Sequence, residues 1–217
     1  MKHHRKEAII LKTPFNRILY GGDYNPNQWP REIWDEDMRL FKQAGINSAT
    51  INVFSWAKLQ PDESTYDFSE LDDIVDMLSK EGYDIVMATS TAAMPAWLCK
   101  KYPEVTRVDY EGRRHKFGHR HNHCPNSLVF QKYARKLVVE LAKRYGSNPH
   151  VTCWHIGNEY GGECYCETAR KSSACGCKRS TAPSRPSPLW KGFPRRWKRP
   201  SSRIWTASPC PPTLWCP

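Results

Sequence analysis

Apolar runs of strand length alternate with amphipathic helical stretches along most of the chain, and this alternation constrains the fold more than any other feature. Helices are predicted for residues 30–44, for the stretch that Ser69 caps and Gly82 ends, and for the stretch from Asn126 or Ser127 to Gly146. Strands that are separated by a helix pair in parallel, so the pattern predicts βαβ units on a parallel sheet. The predicted strands are residues 18–22, 49–54, 84–89 and 151–157.

The segments that follow these strands are long and rich in aromatic residues, at 23–29, 55–68 and 91–124. Ligands bind at the carboxyl ends of parallel strands, both in a (β/α)8 barrel and in an open α/β sheet. No glycine-rich nucleotide fingerprint follows any strand, which argues against a nucleotide site. The pattern therefore predicts a ligand cleft at this edge of the sheet, although four strands are only half of a barrel.

The excess of positive over negative charge is concentrated in the last 47 residues of the sequence. The 217 residues contain 33 Lys and Arg against 22 Asp and Glu, a formal charge of +11. Ten of the basic residues lie in 171–217, where no acidic residue occurs, so that residues 1–170 hold 23 basic and 22 acidic residues. This balance is not typical of a nucleic-acid-binding fold, whose folded surface is itself basic.

Residues 171–217 differ in kind from the rest of the chain. They contain nine of the 17 Pro, four of the nine Cys and four of the nine Trp. Prolines at this density disfavour helices and central strands, whereas natural solvated tails are poor in Trp and Cys. Two interpretations are a disordered basic tail and an out-of-frame translation of further barrel sequence, and we favour the second. Nucleic-acid binding by this segment is disfavoured, because its aromatic residues have no regular spacing.

No segment resembles a secretion signal or a membrane span. The longest apolar run near the N-terminus is Ala8 to Leu11, which is shorter than the core of a signal peptide or a transmembrane helix. An odd number of cysteines argues against a disulfide framework and favours free thiols or a metal site. Because the sequence shows neither a secretion signal, nor a membrane span, nor a disulfide framework, we expect a cytoplasmic protein.

The last predicted strand leads into the sequence Gly157-Asn158-Glu159. A carboxylate at this end of a parallel strand faces the ligand cleft, where it can act as a general acid or base. Asn158 can bond to substrate hydroxyls, and Trp154 and Tyr160 offer flat faces of the kind on which sugars stack. Alternatively, Glu159 only caps the following loop, and the Asn-Glu pair alone does not decide between these roles.

Four loop motifs occur together and in a fixed order. They are residues 22–30 (GDYNPNQWP), 54–61 with 66–68 (FSWAKLQP and YDF), 120–127 (RHNHCPNS) and 154–162 (WHIGNEYGG). Together they closely resemble the family 42 glycoside hydrolases, bacterial β-galactosidases built on a (β/α)8 barrel. The resemblance covers roughly residues 10–170 and implies that they form the first four βα units of such a barrel, followed by the tail 171–217.

The resemblance also implies roles for individual residues. Glu159 matches the proton donor, Asn158 the residue that bonds to the sugar 2-hydroxyl, and Arg120 an arginine that helps to bind galactose. The implied reaction is retaining hydrolysis of terminal β-D-galactosyl residues, in which a second carboxylate attacks the anomeric carbon. That nucleophile follows the seventh strand in the family, and nothing in this sequence corresponds to it. We therefore expect this polypeptide to have little or no activity; a non-catalytic or sugar-binding homologue is the alternative.

The same resemblance implies a structural zinc in some family members, bound by four thiolates. Three of these are matched by Cys124, Cys164 and Cys166. The fourth position is Ala169, so that either water or a borrowed Cys175 or Cys177 completes the site, or zinc is not held. The implied partners are a small galactoside and further copies of the chain, since family members often form trimers; no nucleic acid or membrane partner is expected.

Two further predictions concern the remaining cysteines and histidines. Cys99 and Cys153 lie in apolar stretches, which predicts that both belong to the core. Four histidines alternate in a loop that is rich in Gly and Arg, and this arrangement is compatible with a metal cluster or with a solvated or substrate-facing loop. We favour the solvated or substrate-facing loop. The histidines are His115, His119, His121 and His123.

Overall fold

Four parallel strands form one sheet in a computed structural model, which describes residue 15 and residues 17–172. The order of the strands in the sheet is their order in the sequence. All three neighbouring pairs are parallel, which confirms the predicted βαβ organisation. The strands are β1 (Gly21–Asp23), β2 (Ser48–Ile51), β3 (Asp84–Ala88) and β4 (Val151–His155).

Five α-helices lie on the connections between these strands. One helix joins β1 to β2, two lie between β2 and β3, and two lie between β3 and β4. Short 3-10 turns occur at Pro26–Gln28 and Pro103–Val105. The helices are α1 (Arg31–Ala44), α2 (Trp56–Leu59), α3 (Ser69–Lys80), α4 (Ala96–Lys101) and α5 (Leu128–Tyr145).

Individual residues determine where several helices begin and end. Gly45 ends α1 in the left-handed region, with φ of +67°, a conformation that glycine adopts without steric cost. Ser127 begins α5, because its hydroxyl accepts a hydrogen bond from the N–H of Phe130. The prediction that Ser69 caps α3 is wrong: Ser69 is the first helical residue, and its N–H donates to the carboxylate of Asp67 at 2.9 Å.

The first strand lies later in the sequence than its apolar run indicates. The run ends at Tyr20, but Ile18 is 88% exposed, and the strand itself begins at Gly21. A β-carbon on Gly21 would lie 1.7 Å from the carbonyl oxygen of Ser48, so that only glycine permits this approach of β1 to β2. The other three strands end earlier than predicted, by one to three residues.

The core lies between the sheet and the long helices. Alternate strand residues such as Ile85 and Met87 are fully buried. Each of the long helices α1, α3 and α5 presents one apolar stripe at spacings of three and four residues, as an amphipathic helix does. The buried residues of α3 and α5 are Leu71, Ile74, Val75, Leu78, Phe130, Tyr133, Leu137, Leu141 and Tyr145.

Residues 167–172 form a helical turn at the end of the described chain. The predicted tail, residues 171–217, lies outside the described residues from position 173 onward, so that its boundary and origin stay predictions. Among the residues that are described, no helix has the length and apolarity needed to cross a membrane.

Candidate active site

A tight turn after β4 places Glu159 at the carboxyl edge of the sheet. Gly157 begins the turn with φ of +71°, and its N–H donates to the hydroxyl of Thr89, which follows β3, at 3.0 Å. A β-carbon on Gly157 would lie 2.2 Å from the hydroxyl oxygen of Tyr160. The backbone of Glu159 is itself left-handed, with φ of +40°, a conformation that non-glycine residues adopt only where their surroundings impose it.

Arg120 and Glu159 are brought together by this turn. A guanidinium nitrogen of Arg120 lies 3.0 Å from a carboxylate oxygen of Glu159, and both side chains are more than half exposed. The same guanidinium lies 5.7 Å from the ring centre of Phe54, beyond the end of β2. Residues that follow three different strands therefore meet at one edge of the sheet, as the loop motifs predicted.

Asn158 is partly buried beside a cavity of about 570 Å³. The wall of this cavity is mainly apolar: hydroxyl, imidazole and aromatic groups after β3 and β4 face the side chains of Ala134, Val138 and Ala142 on α5. Trp154 and Tyr160, the two aromatic residues that flank the predicted site, both contribute to the wall. Other wall residues are Thr89, Thr91, His121, His123, Phe130 and Gly157.

The four loop histidines differ in their exposure to solvent. His115 and His119 are exposed, as predicted, whereas His121 is partly buried and His123 is only 7% exposed. The ring of His123 stacks on Phe130 with 3.7 Å between the ring centres. Burial, assisted by the charge of Arg107, lowers the pKa of His123 to about 4. His123 is therefore buried and neutral, and it lines the cavity together with His121. His115 and His119 are the solvated members of the four, so the loop is partly solvated and partly cavity-facing.

Arg107 organises the site, and sequence reasoning missed it. It is 9% exposed, and its guanidinium donates to the carbonyl of His123 at 3.0 Å and to the carbonyl of Gly161. These bonds tie the loop that carries Arg120 to the loop that carries Glu159. The only sequence signal was the Gly161-Gly162 pair, which allows a close approach of backbone to a neighbouring side chain.

Three of the five described cysteines lie together. The sulfur atoms of Cys124, Cys164 and Cys166 all lie within 4.8 Å of one another, and those of Cys124 and Cys166 are 3.5 Å apart. Burial raises the pKa of Cys124 to about 12. Burial also acts to raise the pKa of Cys166, but the hydrogen bonds that its sulfur accepts outweigh this effect and lower it. Soft sulfur ligands in this grouping suit zinc.

The two cysteines that were predicted to lie in the core behave differently. Cys99 is buried in α4, as predicted, and burial raises its pKa. Cys153 is exposed on β4, so the prediction is wrong for this residue. Side chains alternate between the two faces of a strand, and the apolar neighbours of Cys153 in the sequence did not reveal which face it occupies.

Comparison with known proteins gives the same family as the loop motifs. The family profile described as Beta-galactosidase, glycoside hydrolase family 42, matches residues 23–178. Beta-galactosidase LacZ of Lactobacillus acidophilus is 59% identical over 160 residues, which are 74% of this chain and 24% of that protein. Beta-galactosidase BgaP of Planococcus is 56% identical over 162 residues, again 24% of its length. The chain thus spans about a quarter of the length of these curated relatives.

Solved structures agree with the fold. The crystal structure of a beta-galactosidase from Bacillus circulans matches with a TM-score of 0.73 and 56% identity, over 76% of this chain and 24% of that one. That of a beta-galactosidase from Rahnella matches with a TM-score of 0.73 and 37% identity, over 77% and 25% of the respective chains. The four described strands and the helices that connect them therefore correspond to part of the (β/α)8 barrel of these enzymes.

Proposed function

Since the chain belongs to glycoside hydrolase family 42, we propose that it supplies the acid/base part of a retaining glycoside hydrolase that acts on terminal β-D-galactosyl residues. The observation that carries this proposal is the contact between Arg120 and Glu159, 3.0 Å apart at the carboxyl edge of the parallel sheet. Active sites of barrel enzymes lie at this edge. The contact unites two residues that the family resemblance had assigned to the site separately.

In this proposal, Glu159 protonates the glycosidic oxygen as the bond to the leaving group breaks. It then removes a proton from the water that releases the sugar, which is the second half of a retaining reaction. Arg120 donates hydrogen bonds to galactose hydroxyls and fixes the position of the Glu159 carboxylate. Asn158 bonds to the 2-hydroxyl, where hydrogen bonds strengthen in the transition state.

The second carboxylate of the reaction is not assigned within the described residues. A retaining enzyme needs its two carboxyl groups about 5–5.5 Å apart. The described sheet has four strands, whereas a barrel has eight, and the family resemblance places the nucleophile after the seventh. We therefore propose that full activity requires the remaining strands of a barrel.

A chimaera tests the role of Glu159 directly. Residues 1–172 of this chain would replace the matching segment of LacZ from Lactobacillus acidophilus, and turnover of a nitrophenyl β-galactoside would be measured. We expect activity in the chimaera and a loss of about 10²–10⁴-fold in kcat for Glu159→Gln. Glu163→Gln, in the same loop, serves as the matched control and should retain activity. Equal losses in the two variants would contradict the assignment.

The 217-residue polypeptide itself provides a second test. We expect its turnover of the same substrate to be no higher than that of its Glu159→Gln variant, because the acid alone does not stabilise the oxocarbenium-like centre. Turnover well above that of the variant would show that a second carboxylate is present, supplied by this chain or by another copy of it. Binding of galactose without turnover would support the alternative role of a sugar-binding homologue.

The substrate class, the location and the oligomeric state are proposed from the same family resemblance. We propose a small galactoside as the substrate, a cytoplasmic location and assembly into a homo-oligomer, with a trimer as the form that the family resemblance favours. Size-exclusion chromatography with light scattering on the chimaera would measure the oligomeric state. A monomer at micromolar concentration would contradict the proposed assembly.

A further inference from the structure

The two faces of the sheet differ in how well they are covered. Met87 is fully buried on the side of the helices, and the side chains of adjacent strand residues point to the other face. On that other face, residues that are level in the strand register are Asp23, Thr50, Val86 and Cys153. None of these four is buried. Parallel sheets are normally covered on both faces, so the described residues leave an interior type of surface open.

Both edges of the sheet are open as well. Within the described part of the chain, β1 pairs with β2 alone and β4 pairs with β3 alone. Large apolar side chains are exposed beside each edge: Ile18 and Tyr20, before β1, are 88% and 60% exposed, and Ile156, after β4, is 70% exposed. Unpaired edges with exposed apolar neighbours favour the addition of further strands.

The strand order determines how a second copy of the chain can use both edges. All strands run in one direction, with β1 and β4 at the two edges. A two-fold axis along the strands therefore places β4 of each copy beside β1 of the other, again in parallel. Such an interface is isologous and closed, so that no edge is left over. Two four-stranded sheets supply the eight strands of a parallel barrel.

The open face suits the interior of such a barrel. Branched side chains dominate these interiors, which are filled by layers from alternate strands. Thr50 and Val86 are β-branched, and Cys153 is a small side chain of the kind that is often buried. Asp23 ends β1 and therefore lies at the carboxyl mouth of the barrel, where polar groups are common.

We propose that two copies of this chain associate with β4 of each beside β1 of the other, and close an eight-stranded barrel around their open sheet faces. The occupant of each open edge is thus a second copy of the same chain. This inference rests on the described sheet and not on the proposed glycosidase activity. The trimer proposed above concerns complete barrels, whereas this pairing creates one.

Closure by a second copy does not supply the missing nucleophile. The seventh strand of the closed barrel is β3 of the second copy, and β3 is followed by Thr89 and Ser90. Neither residue has a carboxylate. We therefore expect a closed dimer without turnover, so that measurements of mass and of activity test the two proposals separately.

Size-exclusion chromatography with light scattering on the full 217-residue chain tests the association. We expect twice the mass of one chain. Cys153→Arg places a charge inside the barrel but at a position that is exposed in a single copy, so it should give a folded monomer. Val139→Arg is the control, because Val139 is 42% exposed on α5 and should remain outside; this variant should stay a dimer. Circular dichroism establishes that each variant is folded.

Labelling of Cys153 in the unaltered chain gives a measurement that needs no variant. Iodoacetamide is added below and above the midpoint concentration of association, and peptide mass spectrometry follows each thiol. Since access controls thiol reactivity, we expect labelling of Cys153 to slow by about tenfold or more in the dimer. Cys164, which packs against Val108 of its own chain, should be labelled at the same rate in both states.

A cross-link identifies which edges meet. Neighbouring strands lie about 4.8 Å apart, which is within the Cα separation of a disulfide. Asp23→Cys and Leu19→Cys sample two registers along the β1 edge, and mild oxidation of at least one of these variants should give a covalent dimer joined to Cys153. Peptide mass spectrometry identifies the joined residues.

Four outcomes would overturn the proposal. They are a mass other than that of a dimer, a dimer that persists in folded Cys153→Arg, labelling of Cys153 that does not change with concentration, and a disulfide between the two copies of Cys153 in the unaltered chain. The last would show that β4 pairs with β4, an arrangement that leaves both β1 edges open.

Discussion

The guanidinium of Arg107 occupies the space that a side chain at position 162 would need, since a β-carbon on Gly162 would lie 1.5 Å from its Nη1. Gly162 also has φ of +75°. Both the space and the backbone conformation therefore require glycine here. The consequence is a close contact between the loops after β3 and β4, and this contact supports the position of Glu159.

Gly162→Ala should therefore destabilise the chain more than a substitution at another glycine with positive φ. Gly112 is the matched control, because its φ is +83° and a β-carbon there would meet nothing within 4 Å. We expect Gly112→Ala to cost about 1 kcal/mol from backbone strain, and Gly162→Ala to cost roughly 1–3 kcal/mol more from displacement of Arg107. Urea unfolding measures both, and equal costs would contradict a steric role for Arg107.

Asp72→Asn should loosen the packing of α3 against α5. The carboxylate of Asp72 accepts hydrogen bonds from Arg144 at 2.7 Å and from the hydroxyl of Tyr145 at 2.8 Å. We expect a loss of roughly 1–3 kcal/mol in the free energy of unfolding. Asp73→Asn is the control: Asp73 pairs with Arg31 at 3.6 Å with both side chains exposed, and such pairs contribute about 0–1 kcal/mol. A control loss as large as that of Asp72→Asn would refute this difference.

Glu63 should contribute to the acid sensitivity of the fold. Hydrogen bonds from Lys101 and from the hydroxyls of Tyr133 and Tyr102 lower the pKa of Glu63 to about 2, from an ordinary value of 4.5. A carboxyl with a lowered pKa in the folded state stabilises the fold above its unfolded pKa, and this contribution is lost as the pH falls through the folded pKa. The contribution is therefore complete above about pH 5, where the carboxyl is ionised in both states, and it declines towards pH 2.

The measurement is the difference in free energy of unfolding between the original chain and Glu63→Gln as a function of pH. We expect this difference to be constant above about pH 5 and to shrink towards pH 2. Tyr102→Phe removes one hydrogen bond and should reduce the pH dependence only in part. A difference that does not change with pH would show that the ionised form of Glu63 has no special stabilisation.

Asn52 should be less tolerant of alanine than of glycine. It follows β2 with φ of +67°, and its side-chain N–H donates to the carbonyl of Ala88 at 3.0 Å. Asn52→Gly loses this hydrogen bond but suits the backbone, whereas Asn52→Ala loses the bond and adds strain of roughly 1 kcal/mol. Thermal unfolding should therefore give a lower Tm for the alanine variant; the opposite order would contradict the importance of the backbone conformation.

The order and the parallel pairing of the strands could be predicted from the sequence, because buried strands and amphipathic helices leave periodic apolar patterns. The position of β1 could not be predicted, because it is set by the close approach of Gly21 to the backbone of Ser48. This contact leaves no apolar pattern in the sequence. The start of α3 could not be predicted from residue type either: Asp67 and Ser69 both belong to the types that favour the N-cap position, and only the backbone geometry places Phe68 immediately before the first helical residue.

The candidate site shows the same limit of sequence reasoning. Glu159, Asn158 and Arg120 could be selected from loop motifs, but the contact of Arg120 with Glu159 depends on a turn whose geometry is set by Gly157. Arg107 escaped notice because a single arginine in a loop is usually solvated, and its burial depends on carbonyl groups from two distant segments. Long loops without periodicity carry little information about their own packing.

The strand order has a consequence for how the chain acquires its structure during synthesis. Each of the strands β2, β3 and β4 pairs with the strand made immediately before it, and the helices that cover the sheet lie on the intervening connections. Chains emerge from the ribosome amino end first, at about 5–20 residues per second. Each pairing among the described strands can form as soon as the second strand of the pair has been made, so this sheet can assemble vectorially, one strand at a time, while translation continues.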